Sequence, residues 1–181
     1  MMLNYPSVMH LSQRRISLFA ALVVSIAVAS SFPSVQAASK TQVTTKKFKS
    51  WNLECILKGE KQQKCHLAQK LIDTKGRKIL HFKISKNNGG AYLEVGAPLG
   101  LYIPAGIAIK VDEQKATQMQ LVDCKAQGCR AVLPLHGDAV KAFKKGSKLA
   151  VLFVDSKSGK TLMVNGSLNG FTAAANSFGI K

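Results

Sequence analysis

The sequence predicts a mainly β fold, a single-domain antiparallel β-sandwich or partly closed barrel with one short helix. Two observations lead to this prediction. Roughly eight to ten short runs alternate apolar and polar residues, and turn-forming residues lie between them. Only residues 137–146 combine helical spacing with helix-capping signals. Many short strands joined by turns are typical of β-sandwiches and small barrels.

The first 37 residues have the pattern of an export signal. Arg14 and Arg15 end a basic segment, residues 16–29 form an apolar run, and residues 35–37 end in the small residues that a signal peptidase reads. The apolar run is shorter than the roughly 20 residues that cross a bilayer. We therefore predict cleavage after Ala37 and export to the periplasm, the outer envelope or the exterior. An uncleaved membrane anchor is the alternative.

The remaining residues 38–181 are enough for one domain. Residues 38–49 are polar and basic, and we expect them to form a flexible basic arm. The β domain then covers residues 50–181. It begins with a half-buried strand that has Trp51, Leu53 and Cys55 on one face and Asn52 and Glu54 on the other.

Further strands are predicted wherever alternation resumes after a turn signal. Residues 73–76, 87–90 and 156–159 are such turns. Residues 98–106 contain Pro98, Pro104, Gly100 and Gly106, so we expect a turn-rich crossover there instead of a central strand. Residues 149–154 are apolar on both faces, which indicates a strand with neighbours on both sides.

Four cysteines follow the export signal, and an even number in an exported domain indicates two disulfides. Three pairings of Cys55, Cys65, Cys124 and Cys129 are compatible with the sequence. We favour Cys55 with Cys65 and Cys124 with Cys129, because strand-turn-strand patterning brings each pair together; the second pair would close the tip of a β-hairpin. A four-cysteine zinc site is the alternative, but its usual short Cys-x2-Cys spacing is absent.

One short helix is predicted between Asp138 as N-cap and Gly146 just past its C-terminus, with Lys144 and Lys145 in the last turn. The tail after Gly170 fits either a second short helix or an irregular lid.

The charge of the chain points to acidic partners. There are 26 Lys and Arg against nine Asp and Glu, and only Arg14 and Arg15 fall in the export signal, so the processed chain keeps a net charge of +15. Such a field attracts polyanions, either a host-cell surface component or an anionic envelope lipid. Peripheral contact with a membrane fits this charge. Nucleic acid is disfavoured, because Trp51 and most Phe lie on apolar faces.

The sequence contains no catalytic constellation that we recognise and implies no cofactor. His66, His81 and His136 lack metal-ligand spacing, and Asp112-Glu113 is an adjacent acidic pair in a turn, where water keeps both ionised. We therefore predict that the protein is not an enzyme. A hydrolase with an unrecognised site remains an alternative, and a histidine next to a carboxylate in a pocket would favour it.

Several short motifs together resemble the invasion-associated locus B family of exported bacterial proteins. They are Trp51-x-x-x-Cys55, Cys65-x-x-x-Gln69, Pro98-Leu99-Gly100 to Pro104-x-Gly106, Val111-Asp112, Cys124 to Gly128-Cys129 with Ala131, and Gly170-Phe171. The resemblance implies a small, mainly β protein of the bacterial envelope or exterior, associated with entry into host cells such as erythrocytes, with no catalytic residues to carry over.

The resulting hypothesis is an exported basic protein that binds in host-cell attachment or invasion. A periplasmic envelope-maintenance or accessory protein, held at anionic lipid or lipopolysaccharide, is the alternative. The candidate partner-binding residues are the clustered cations of the predicted strand faces and loops: Lys46, Lys47, Lys58, Lys61, Lys64, Lys75, Arg77, Lys144 and Lys145.

Overall fold

Ten strands form one antiparallel sheet in the computed structural model, which describes residues 42–58 and 62–181. The predicted export signal and Lys61 lie outside the described residues. The strands are β1 Gln42–Phe48, β2 Trp51–Lys58, β3 Gln62–Ile72, β4 Lys78–Asn87, β5 Gly90–Ala97, β6 Ile107–Val111, β7 Thr117–Lys125, β8 Gly128–Leu135, β9 Lys148–Val154 and β10 Thr161–Ser167. The helices are α1 Asp138–Lys145 and α2 Phe171–Phe178.

The strand order is β1-β2-β3-β4-β5-β8-β7-β6-β9-β10, so the sheet is not closed and β1 and β10 are its edges. Each pair of neighbours runs antiparallel. This confirms the predicted fold class, mainly β and antiparallel in a single domain. β9 has β6 and β10 on its two sides, which agrees with its apolar sequence on both faces.

The predicted flexible arm is wrong for residues 42–48, which form β1. This strand pairs with β2 from Gln42 opposite Leu57 to Phe48 opposite Trp51. Six of its seven residues are exposed, because it is an edge strand and only Phe48 packs against the core. Residues 42–48 therefore lack the apolar alternation by which a strand is recognised in a sequence, and backbone pairing with β2 leaves no pattern of residue types.

The helices differ from the prediction in two respects. Gly137, with φ of 53°, is the N-cap of α1, and Asp138 is its first residue; Gly146 is the C-cap, with φ of −73°. The tail forms a helix, α2, so the described part of the fold has two short helices instead of one. The rings of Phe143 in α1 and Phe171 in α2 meet edge to face, with centroids 5.5 Å apart.

Both disulfides join residues that lie directly opposite each other in neighbouring strands. Cys55 in β2 is bonded to Cys65 in β3, and Cys124 in β7 is bonded to Cys129 in β8. This is the local pairing favoured from the sequence. Each bond closes a short loop, for which the chain-entropy model gives roughly 2–3 kcal/mol of stabilisation. The second disulfide closes the tip of the β7–β8 hairpin, as predicted.

Residues 98–106 connect β5 to β6 as a crossover with a 3-10 turn at Ile103–Ala105. The segment is attached to the end of β9, since Tyr102 N–H donates to Val154 C=O at 2.7 Å and Leu101 forms a bridge with Asp155. The prolines and Gly100, with φ of 92°, suit this irregular path.

Candidate functional site

Trp51 joins the two ends of the open sheet. Its side chain is fully buried between Phe82 and Phe171, with ring centroids 6.2 and 5.2 Å away. Its indole Nε1–H donates a hydrogen bond of 2.9 Å to the carbonyl oxygen of Ser167, at the end of β10. Trp51 therefore holds the start of β2 against the opposite edge strand.

Gln69 makes the same connection from β3. Its Nε2 donates to the carbonyls of Ser50 and Ser167 at 3.0 and 2.7 Å, and its Oε1 accepts from Ser167 N–H at 2.8 Å. The side chain is only 4% exposed, so these bonds satisfy a buried amide. We call Trp51, Gln69 and Ser167 the closing cluster.

Glycines next to the closing cluster allow β10 and the segment after it to approach β4 and β1 closely. A Cβ on Gly166 would lie 2.4 Å from Phe82 Cε2, and one on Gly170 would lie 2.2 Å from the Phe48 carbonyl oxygen. Gly170 also has φ of 87°, a conformation that side chains oppose. The motifs that contain Trp51, Gln69 and Gly170-Phe171 are thus explained by the side-chain contacts that join the two ends of the open sheet.

Asp112, in the Val111-Asp112 motif, also has a structural position. Its carboxylate accepts hydrogen bonds from Ser147 N–H at 3.1 Å and Lys148 N–H at 2.8 Å, at the point where α1 leads into β9. The motif therefore fixes the start of β9.

The predicted partner-binding cations do not form one surface. Lys46 and Lys47 lie exposed on β1, Lys64 is exposed on β3, and Lys75 and Arg77 lie at the opposite end of β3 in the turn to β4. The Lys58 backbone ends β2, and Lys61 lies outside the described residues.

Two of these cations are already engaged within the protein. Arg77 Nε pairs with Asp73 at 2.7 Å, and Lys144 Nζ donates to the Ile180 carbonyl at 2.9 Å and to Asn176 Oδ1 at 3.1 Å. Lys145, next to Lys144, is exposed at the end of α1.

A cleft opens where β3 separates from β4. The pairing of these strands begins at Leu67 opposite Ile84, whereas β2 and β3 stay paired to Lys58 opposite Gln62, and β4 and β5 to Asn87 opposite Gly90. The strands thus form a fork beyond Leu67 and Ile84. The cleft in this fork has a volume of about 880 Å³.

The walls of the fork cleft come from both sides of the fork and from the end of α2. The Cys55–Cys65 disulfide contributes to one wall. The polar and aromatic side chains that line the cleft are Lys64, His66, Lys83, Ser85, Lys86, Tyr92, Ser177 and Phe178. Lys86 Nζ donates to the Phe178 carbonyl and lies 4.5 Å from the centroid of that ring.

The electrostatics of the fork cleft are set by its lysines. Within the described residues, no carboxylate lies within 4 Å of the ammonium groups of Lys64, Lys83 or Lys86. Glu54 and Glu94 are their nearby acids, and these already pair with other cations, Glu54 with Lys70 and Glu94 with Arg130. Among the described residues, Lys64 and Lys83 therefore have no carboxylate partner, while Lys86 is held by the carbonyl and ring of Phe178.

His66 and Glu54 are in contact, the arrangement that would favour a hydrolase. His66 Nε2 lies 3.3 Å from Glu54 Oε2. Burial lowers the pKa of His66, and the nearby Lys83 ammonium lowers it further, although the Glu54 carboxylate acts in the opposite direction. The net shift favours the neutral imidazole, which stays in contact with the Glu54 carboxylate. Ser85 also lines the cleft, but among the described hydrogen bonds none joins it to His66.

A second, smaller cavity of about 160 Å³ lies between His81, Gly96 and Arg130 on the outer face of the sheet. The imidazole of His81 lies over Gly96, where a Cβ would come 1.7 Å from His81 Cε1. His81 Nδ1 is buried without a hydrogen-bond partner within the described part of the chain. Burial lowers the pKa of His81, and Lys78, Lys83 and Lys70 lower it further against the opposing effect of Glu94.

We expect the unfolding free energy to fall as the pH drops below about 6.5, the ordinary histidine pKa. Because His66 and His81 have lowered pKa values in the folded state, the unfolded chain binds more protons in this range. Replacing His81 with Asn should make the decline between about pH 6.5 and pH 5 shallower in urea unfolding measurements. His136→Asn, at an exposed position, is the control; equal slopes for both variants would contradict this explanation.

The described residues contain no group of three or more His, Cys, Asp or Glu side chains that could hold a metal ion. In the same residues, neither α1 nor α2 has the length and apolar character needed to cross a bilayer. The fold and its surfaces thus define a disulfide-bonded, antiparallel β domain with a basic cleft.

This chain belongs to the invasion associated locus B (IalB) protein family, whose model matches residues 51–179. Family membership suggests an invasion-associated protein, and the family is not known as enzymatic. The fold is similar to the crystal structure of invasion associated protein B from Bartonella henselae, with 21% sequence identity and a TM-score of 0.66. The match covers 74% of this chain and 93% of that chain. No curated protein matches the sequence.

Of the lysines that line the fork cleft, Lys64 is among the cations predicted from the sequence, whereas Lys83 and Lys86 are not. Lys83 had a signal, since it alternates with the buried Phe82 and Ile84 and so belongs to the outer face. The fork itself had none, because it depends on where the pairing of β3 and β4 ends.

Proposed function

We propose that this protein is exported and acts by binding, without catalysis, in attachment to or invasion of host cells. Membership in the invasion associated locus B family supports the association with invasion. Two disulfides support an oxidising, exported environment, and the export pattern of residues 1–37 agrees with it. The partner is an acidic component of the host-cell surface.

The distribution of charge is the observation that carries the proposal. Of the eight acids in the described residues, Asp112 and Asp155 accept backbone hydrogen bonds. The other six form ion pairs: Glu54, Asp73, Glu94, Glu113, Asp123 and Asp138. The excess lysines are left to face outward, and their summed field attracts polyanions.

Binding to a polyanion should depend steeply on salt. Between about 0.1 M and 1 M salt the Debye length falls from about 10 Å to about 3 Å. We expect the affinity of residues 38–181 for immobilised heparin and for erythrocyte membranes to fall at least about tenfold over this range. Immobilised uncharged dextran is the control surface. Binding that does not change with salt, or no binding to either surface, would contradict the proposal.

Location on the cell separates attachment from a role inside the envelope. Protease added to intact bacteria should degrade the protein if it is displayed, while a known periplasmic protein in the same cells stays intact. Full protection of the protein, with none of it in the medium, would contradict the attachment proposal and favour an accessory role at anionic envelope lipid.

A further inference from the structure

We infer that the fork cleft between β3 and β4 is a binding site for a short acidic oligosaccharide that carries sulfate or carboxylate groups. This inference rests on the proposed function, because it assigns to one site the ligand class that the basic surface would attract. The proposed function needs only a basic surface that binds through all of its lysines. The inference adds that binding is concentrated in the fork cleft.

The fold holds each of the two walls of the fork together. The Cys55–Cys65 disulfide ties β3 to β2 on one side of the fork, and the pairing of Lys86 with Ala91 ties β4 to β5 on the other. Ser177 and Phe178, at the end of α2, line the opening. A cleft bounded by a covalent bond and a strand pair needs little reorganisation on binding, which reduces the free-energy cost of association.

The charges in the fork cleft favour an anion with several acidic groups. Lys64 approaches from β3, and Lys83 and Lys86 approach from β4, so the cations stand on both sides of the opening. Glu54 forms its lysine pair with Lys70, and Glu94, which lies opposite Lys83 in the β4–β5 pairing, forms its ion pair with Arg130. Ammonium groups form strong charge-assisted hydrogen bonds with sulfate and carboxylate oxygens.

The other lining groups favour a sugar over a single inorganic ion. The cleft volume of about 880 Å³ is within the range of small-molecule sites. Tyr92 supplies an aromatic ring with a polar hydroxyl, a surface that suits the mixed apolar and polar faces of a sugar ring. The hydroxyls of Ser85 and Ser177 add groups that donate to and accept from sugar hydroxyls.

Matched charge variants separate the site from the overall field. The cleft variant carries Lys64→Gln, Lys83→Gln and Lys86→Gln. The control variant carries Lys115→Gln, Lys157→Gln and Lys160→Gln, three exposed positions outside the cleft. Both variants lose three positive charges, but the cleft variant also loses the Lys86 hydrogen bond to the Phe178 carbonyl, so affinities are compared only where circular dichroism shows both variants equally folded.

The measurement is calorimetric titration of a heparin tetrasaccharide into residues 38–181 at low salt. We expect the cleft variant to bind at least about tenfold more weakly than the unmodified protein, and the control variant to bind within about twofold of it. Equal losses in the two variants would overturn the site while leaving the proposed function standing. Absence of binding by the unmodified protein would overturn both.

Two further measurements test the site if the cleft variant is poorly folded, or if the cleft binds an anion other than an oligosaccharide. In NMR titration of the unmodified protein, tetrasaccharide should shift the amide signals of Ser85, Tyr92 and Ser177 more than those of Lys157 and Lys160. Shifts of equal size would overturn the site. Vesicles of phosphatidylglycerol test lipid phosphate: if the cleft substitutions weaken vesicle binding but not tetrasaccharide binding, the sugar assignment is wrong.

Discussion

Trp51→Ala is expected to lower the free energy of unfolding by about 3–5 kcal/mol, the usual cost of removing a buried tryptophan or phenylalanine. The indole is fully buried, so its removal leaves a cavity between Phe82 and Phe171. It also removes the hydrogen bond to the Ser167 carbonyl that joins β2 to β10. Because native domains have only about 5–15 kcal/mol of stability, this is a large fraction of the total.

Urea unfolding followed by circular dichroism measures this change. Tyr102→Ala is the matched control, because that aromatic side chain is 50% exposed in the crossover, and its loss should cost less than about 1 kcal/mol. A cost for Trp51→Ala as small as that of the control would show that the closing cluster does not hold the sheet together.

Gln69→Leu is expected to lower the free energy of unfolding by about 2–4 kcal/mol. Leucine has a similar size but accepts and donates no hydrogen bonds. The Ser50 carbonyl and the Ser167 N–H then lose buried partners, while the Ser167 carbonyl still accepts from Trp51. Each unsatisfied buried group costs about 1–3 kcal/mol.

Gln118→Leu is the control substitution for Gln69→Leu. The Gln118 side chain is exposed and makes one hydrogen bond, from Nε2 to the Ala105 carbonyl at 3.0 Å. Thermal unfolding of both variants should show a clearly larger loss for Gln69→Leu. Equal losses would mean that the amide of Gln69 contributes no more than an exposed one.

Much of the sheet is predictable because its inner face is regularly buried. In β4, Leu80, Phe82 and Ile84 are buried and alternate with half-buried neighbours, so period-two alternation identifies the strand. The hairpin around Cys124 and Cys129 is predictable because only two residues lie between its strands. β1 is not predictable in this way, since its stability comes from backbone pairing with β2 and not from its own apolar face.

The site is less predictable than the fold because it depends on contacts between distant segments. The runs Lys46-Lys47 and Lys144-Lys145 stand out in the sequence, yet Lys144 is held by the C-terminal segment at Ile180. Lys83 and Lys86 stand alone in the sequence and come together with Lys64 only through the fork between β3 and β4. Nothing in the local sequence encodes where two paired strands separate.

The motif residues and the fork cleft have different roles in this account. Trp51 and Gln69 are buried, and the polar side-chain atoms of Trp51, Gln69 and Asp112 have protein partners, which indicates structural roles. The lysines of the fork cleft have no carboxylate partners among the described residues. We therefore expect the closing cluster to stabilise the domain and the fork cleft to bind the acidic ligand.

The most direct test is the affinity of Gln69→Leu for a heparin tetrasaccharide, measured at a temperature where circular dichroism shows this variant fully folded. If the closing cluster stabilises the domain without contacting the ligand, the Kd of this variant for the tetrasaccharide should lie within about twofold of that of the unmodified protein. A loss of about tenfold or more in the folded variant would place the closing cluster in the binding site and contradict the account.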